Sequence, residues 1–87
     1  MRSAIKVLVV DDSALTRQML TRALSVDPAV EVVGTARTGV EAIEKTVALV
    51  PDVVTLDIEM PELTGIEALP HIIRSSTARV IMLSGVD

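Results

Sequence analysis

Pro51-Asp52-Val53-Val54-Thr55-Leu56-Asp57-Ile58-Glu59-Met60-Pro61 is the stretch that decides the fold. Its centre, Val53–Leu56, is an almost unbroken apolar and β-branched run, the pattern of a strand buried on both faces. A proline precedes the run and an acid, Asp57, follows it at once. Working outward, Ile5–Val10 has the same character and also ends in acids, Asp11 and Asp12. Two more β-branched runs, Val30–Thr35 and Arg79–Leu83, complete a set of four strands.

Three segments with helical spacing lie between these runs. The first sets Leu15, Met19, Leu20, Ala23 and Leu24 on one side, after Ser13 or Asp12 as N-cap, and Asp27-Pro28 stops it. The second opens on Thr38-Gly39-Val40-Glu41, a capping-box spacing, is expected to carry Val40, Ile43 and Val47 inward, and ends at Pro51-Asp52. The third opens on Thr64-Gly65-Ile66-Glu67 with Ile66, Leu69 and Ile73 as its apolar positions. Pro70 falls inside it and removes a backbone hydrogen bond, so a tilted or shortened helix is expected.

The order is therefore β-α-β-α-β-α-β, with linkers too short for a second domain. Such alternation gives a parallel sheet with right-handed crossovers and helices on both faces. Ligands of open α/β sheets bind beyond the carboxyl ends of the strands, where the strand order reverses. With the first and third strands adjacent, as in a 2-1-3-4 order, Asp11, Asp12 and Asp57 meet at that crevice. Periodicity does not fix this order; fold habit suggests it. Three crowded carboxylates repel one another, and a divalent cation offsets the repulsion. An all-oxygen site with few protein ligands suits Mg2+, beside which a carboxylate oxygen can attack phosphorus.

Each acid also has a plainer reading. Asp11 and Asp12 suit a helix N-terminus, and a lone aspartate after a strand is more often a turn residue. Acids at both strand ends, with Met60-Pro61 closing the second loop, favour a site. Ser84, followed by Gly85, ends the last strand; a hydroxyl there could bond a phosphoryl oxygen on Asp57, and taken alone it reads as a polar strand-end residue. His71 has no partner at ligand spacing and is expected at the surface, and Gly65 is expected in the first helical turn.

Composition removes several other functions. Apolar residues make up 49% of the 87, enough for a packed core, yet no run approaches the roughly 18 residues of a membrane span. There is no cysteine for a disulfide or thiolate site, and no aromatic residue on which a base could stack. A net charge of −4 with no basic run speaks against nucleic acid. A cytoplasmic location is the default expectation.

Val9-Val10-Asp11-Asp12-Ser13-Ala14-Leu15-Thr16-Arg17, together with residues 51–61 and Gly65, resembles the receiver domains of two-component response regulators. The wording is nearest to the receivers of chemotaxis protein-glutamate methylesterases. The resemblance implies a flavodoxin-like fold and phosphorylation of Asp57 by a histidine kinase, for which small phosphodonors can substitute. It implies Mg2+ held by Asp12 and Asp57 directly, by Asp11 through water and by the Glu59 carbonyl. Ser84 matches the hydroxyl that reorients on phosphorylation, and Glu59 sits at a position that influences acyl-phosphate lifetime.

Against that family, residues 1–87 form a single incomplete receiver domain, lacking the fourth helix, fifth strand and fifth helix. The family's lysine after the fifth strand is absent with them, so weak or no phosphorylation is expected, as is self-association through an exposed fourth strand. No methylesterase catalytic arrangement is present in this stretch, and the chain is not expected to be an enzyme. A haloacid dehalogenase-type phosphohydrolase fits poorly, since the positions of its second aspartate and threonine hold Glu59 and Pro61. A structural half-fold that joins a complementary piece is the remaining alternative.

Overall fold

The computed structural model describes residues 3–60 and 63–83. Along it run β1 (Ile5–Val10), α1 (Ala14–Ser25), β2 (Val30–Ala36), α2 (Gly39–Leu49), β3 (Val53–Asp57), α3 (Gly65–Ser75) and β4 (Arg79–Leu83). All the strand pairs are parallel, in the order β2-β1-β3-β4. This is the expected order, and it explains the apolar runs: β1 and β3 are the central strands. Val7 to Val10 and Val54 to Asp57 are buried. The β1–β2 ladder shifts register between Val7 and Leu8, leaving Val33 as an extra residue before Gly34.

One core fills the side of the sheet under α2 and α3. Leu8 and Val10 of β1, Ala36 of β2 and Val54 and Leu56 of β3 pack there against Ala42, Ala68 and Ile72, with Met60 closing one end. No aromatic is available, so small residues on the helices bring aliphatic layers close together. The buried positions are Gly39, Ala42 and Thr46 on α2, and Gly65, Ala68 and Ile72 on α3. Both sets follow the spacing i, i+3, i+7, one helical face. Thr46 is tolerated at full burial because its hydroxyl donates to the Ala42 carbonyl at 2.6 Å.

This packing corrects the expected helix faces. Val40 and Val47 are exposed rather than inward, and Ile66 and Ile73 are exposed too. Ile43 and Leu69 reach the core only partly. The close-approach seam is opened by Gly39, Ala42, Gly65 and Ala68 and shared by Thr46 and Ile72, while Val40, Val47, Ile66 and Ile73 lie outside it. On α1, which packs against β2 and β1, no residue is fully buried. Leu20 and Leu24 are half-buried, whereas Leu15 (66%) and Met19 (61%) are exposed, as is Ala23.

The helix termini follow the sequence signals closely. Ser13 caps α1, accepting the Thr16 N–H at 3.2 Å, and Thr38 caps α2, accepting the Glu41 N–H at 3.1 Å. Only Thr64–Glu67 completes a reciprocal box, at 3.2 and 3.0 Å. Glu41 turns instead to Lys45 at 3.3 Å. Helix α3 runs uninterrupted through Pro70 for 11 residues, so the expected shortening does not occur. The carbonyl deprived of its donor belongs to exposed Ile66, where water can serve it.

α2 ends on Val50 in the left-handed region, at φ 49° and ψ 58°. A β-branched side chain there is strained by about 1–2 kcal/mol. The side chain is exposed, so little packing offsets that cost. Val50→Gly is expected to raise stability by about 0.5–1 kcal/mol after glycine's greater unfolded-state entropy is counted. Thermal unfolding of the two proteins checks this; an unchanged or lower midpoint in Val50→Gly contradicts it.

Candidate functional site

Adjacent pairing of β1 and β3 carries their carboxyl ends to the same edge of the sheet. Asp11 and Asp12 leave β1 there, and Asp57 is the last residue of β3. One carboxylate oxygen from each lies within 4.8 Å of the other two. Asp11 and Asp57 are buried, while Asp12 is exposed. Among the described residues none of the three forms an ion pair; the cations that do, Arg37 and Lys45, meet Glu41.

Short-range hydrogen bonds hold these acids in place. The Asp11 Oδ1 accepts the Ser13 N–H at 2.9 Å, so Asp11 shapes the turn into α1 while Ser13 does the capping. The Asp11 N–H donates to the Ala36 carbonyl at 3.0 Å, and its carbonyl accepts from Arg17 Nη1 at 2.8 Å. The Asp57 Oδ1 accepts the Glu59 N–H at 3.1 Å. No protein donor among the described residues reaches its Oδ2. The loop after Asp57 is tied down by Ile58 N–H to the Leu83 carbonyl at 2.9 Å and Gly65 N–H to the Ile58 carbonyl at 3.0 Å.

Burial pushes the Asp57 carboxyl above its ordinary value. The Glu59 N–H opposes the shift, and the charges of Asp11 and Asp12 with a carboxyl–carboxyl contact to Asp12 add to it. Among the described residues no ion pair offsets the charge of these acids. It opens into a cleft of about 510 Å³ lined by Asp12, Glu59, Met60 and Thr64. Asp11, Asp12 and Asp57 are therefore brought together as expected, and Glu59 stands at the cleft wall with its side chain exposed. Pro61, Ser84 and Gly85 lie outside the described residues. His71 is exposed, as expected.

Gly65 opens α3, as expected; its close packing on Asp57, and the reach of Arg17 to the Asp11 carbonyl, are contacts that sequence reading missed. A Cβ on Gly65 would collide with the Asp57 carbonyl oxygen and sit only 3.0 Å from Ile58 Cα. The first turn of α3 therefore rests directly on the backbone of Asp57. The signal was Gly65 at the first position of a capped helix, where any residue suits the helix itself. Arg17 lies six residues from Asp11, a spacing that no simple period singles out.

An open parallel sheet of order 2-1-3-4 with acids grouped at its central carboxyl edge defines a flavodoxin-like protein of the receiver type. The chain belongs to the response regulator receiver domain family, which matches residues 7–87. It is 56% identical over 80 residues to a protein-glutamate methylesterase/protein-glutamine glutaminase of Geobacillus kaustophilus, covering 92% of this chain and 23% of that protein. The Thermotoga maritima relative of the same name is 52% identical over 82 residues, covering 94% of this chain and 24% of that protein. The chain thus spans about a quarter of the length of these relatives. The response regulator domain of Thermotoga maritima CheB superposes with a TM-score of 0.91 at 53% identity, over 93% of this chain and 60% of that one. A CheX–CheY–BeF3–Mg2+ complex from Borrelia burgdorferi gives 0.89 at 38% identity, over 97% and 64%. The chain is a receiver domain of the chemotaxis type.

Proposed function

We propose that this chain is a phospho-accepting receiver whose acceptor is Asp57, supplied by a histidine kinase and dependent on Mg2+. The observation that carries the reading is the convergence of Asp11, Asp12 and Asp57, none of which forms an ion pair among the described residues. An all-carboxylate donor set with open space beside it fits Mg2+. Asp12 and Asp57 would hold the ion directly, Asp11 through water and Glu59 through its carbonyl. When bound, the ion neutralises charge on the phosphoryl oxygens. A neighbour of similar fold was crystallised with BeF3 and Mg2+, and another, CheY6, with the P1 domain of CheA3, which supports the same ligand and partner class here.

The chain's own residues then divide the work. The Glu59 N–H holds Asp57 Oδ1, leaving Oδ2 to attack phosphorus as the bond to the donor nitrogen breaks. Asp11 and Ser13 hold the β1–α1 turn in place. Ser84 is proposed as the switch hydroxyl; it follows Leu83, which is the register partner of Asp57. Neither lysine of the sequence reaches the acids: Lys6 lies in β1 and Lys45 in α2, paired with Glu41. A protein of these 87 residues is accordingly expected to take label from a small phosphodonor slowly and in small yield, on Asp57 alone. Mass analysis checks this; label that persists in Asp57→Asn contradicts the acceptor assignment, and near-stoichiometric label contradicts the lysine argument.

A second reading concerns assembly. Among the described residues β4 pairs only with β3, and Ile81 on it is 51% exposed. An apolar strand with an unpaired edge is a template for another chain. Self-association through β4 is the expected behaviour of these 87 residues. Sedimentation at micromolar concentration should show dimers or larger species that Ile81→Lys disperses. A monomer that unfolds cooperatively contradicts it.

A further inference from the structure

Arg17, Gln18, Thr21 and Arg22 of α1 and Thr35 of β2 line an open groove of about 380 Å³, with Ala14 alongside. Every polar side chain in that lining can donate a hydrogen bond, two are guanidinium cations, and no carboxylate is among them. Neither arginine forms an ion pair among the described residues. On a chain of net charge −4, a concavity of purely positive charge is unlike the surface as a whole.

Arg17 is prepared for a ligand. One of its N–H groups is spent on the Asp11 carbonyl at 2.8 Å, and the side chain is half-buried. Its planar head is thereby fixed, so less freedom is lost when its other donors engage an anion. We infer that the groove between α1 and β2 binds a tetrahedral oxyanion, the phosphate group of a small molecule, at a site separate from Asp57. Two guanidinium forks with hydroxyls on both walls supply donors for three or more oxygens, whereas one fork already satisfies a carboxylate. The volume admits a phosphate with a small organic group attached.

The test is an amide NMR titration of the Asp57→Asn chain without Mg2+, so that the acid crevice takes no part. Inorganic phosphate and glycerol phosphate are the probes, with glutamate as the carboxylate control. Saturable shifts at residues 17–22 and at 35, with millimolar affinity, are expected from both phosphates. Tighter binding of glycerol phosphate assigns the groove to phosphorylated small molecules; equal binding assigns it to free phosphate. Arg22→Gln should weaken binding about tenfold, and adding Arg17→Gln should abolish it. Arg22 is exposed and has no protein partner among the described residues, so Arg22→Gln folds as the parent does. Shifts that grow linearly, that glutamate reproduces, or that survive Arg22→Gln unchanged overturn the inference.

Discussion

Gly65→Ala is expected to cost about 3 kcal/mol or more, lowering the melting temperature by roughly 12 °C or beyond. The added methyl group meets backbone, the Asp57 carbonyl and Ile58 Cα, and backbone cannot step aside as a side-chain tip can. To make room, either α3 shifts off the sheet, opening the core at Ala68 and Ile72, or the end of β3 moves and carries Asp57 with it. Gly34→Ala provides the control. Its methyl group meets only side-chain tips, chiefly Leu49 Cδ1 at 2.7 Å, and Leu49 lies at the surface and can rotate away. Thermal unfolding of both variants separates the cases; a Gly65→Ala protein as stable as Gly34→Ala contradicts the close backbone contact.

Asp57→Asn is expected to stabilise the metal-free chain at neutral pH by about 1 kcal/mol, a rise of roughly 4–8 °C. Burial first, then the neighbouring Asp11 and Asp12, raise the Asp57 pKa in the folded state above its unfolded value. The folded state therefore binds this proton more tightly than the unfolded state does. Its stabilising effect is present at low pH and is lost as pH rises through the acid range, leaving a penalty that persists at neutrality. Asparagine keeps the acceptor oxygen for the Glu59 N–H and carries no charge. The two proteins should thus unfold at similar temperatures near pH 3 and diverge as pH climbs, with the variant above. Wild type matching or exceeding the variant at pH 7 without metal contradicts the crowded-acid account.

Much of this fold is legible in the sequence because strands and caps are encoded locally. The apolar runs at Ile5–Val10 and Val53–Leu56 mark the central strands, Thr38 and Thr64 mark two helix starts to the residue, and the third start is narrowed to Asp12 or Ser13, of which Ser13 is the cap. The helix faces were misread for a physical reason. Periodic patterns weight Val40, Val47, Ile66 and Ile73 by hydrophobicity, but the close-packed seam selects for size, and Gly39, Ala42, Gly65 and Ala68 occupy it. On α1 the outcome is different: no residue is fully buried, Leu20 and Leu24 are half-buried, and Leu15 and Met19 are exposed.

The site divides along the same line. One acid after a strand reads more often as a turn residue. It is acids at two strand ends, with a strand order suggested by fold habit, that point to Asp11, Asp12 and Asp57 as a set; the structure does place them together. Gly65 and Arg17 act through contacts formed only once the chain is folded: a helix start resting on the Asp57 carbonyl, and a guanidinium reaching the Asp11 carbonyl. Neither contact has a sequence spacing that announces it. The groove lined by Arg17 and Arg22 is hidden for a related reason, since its opposite wall, Thr35, comes from another element.

The central claim is that three mutually repelling carboxylates form a Mg2+-dependent phospho-acceptor site, and a magnesium titration followed by thermal unfolding tests it most directly. For the wild-type chain the melting temperature should climb with added Mg2+ and level off at saturation, as expected of a ligand that binds only the folded state. Asp57→Asn should begin higher and respond far less, because one carboxylate of the set is gone. A wild-type chain whose melting temperature does not move with Mg2+, or an Asp57→Asn chain that responds as strongly as wild type, contradicts the account.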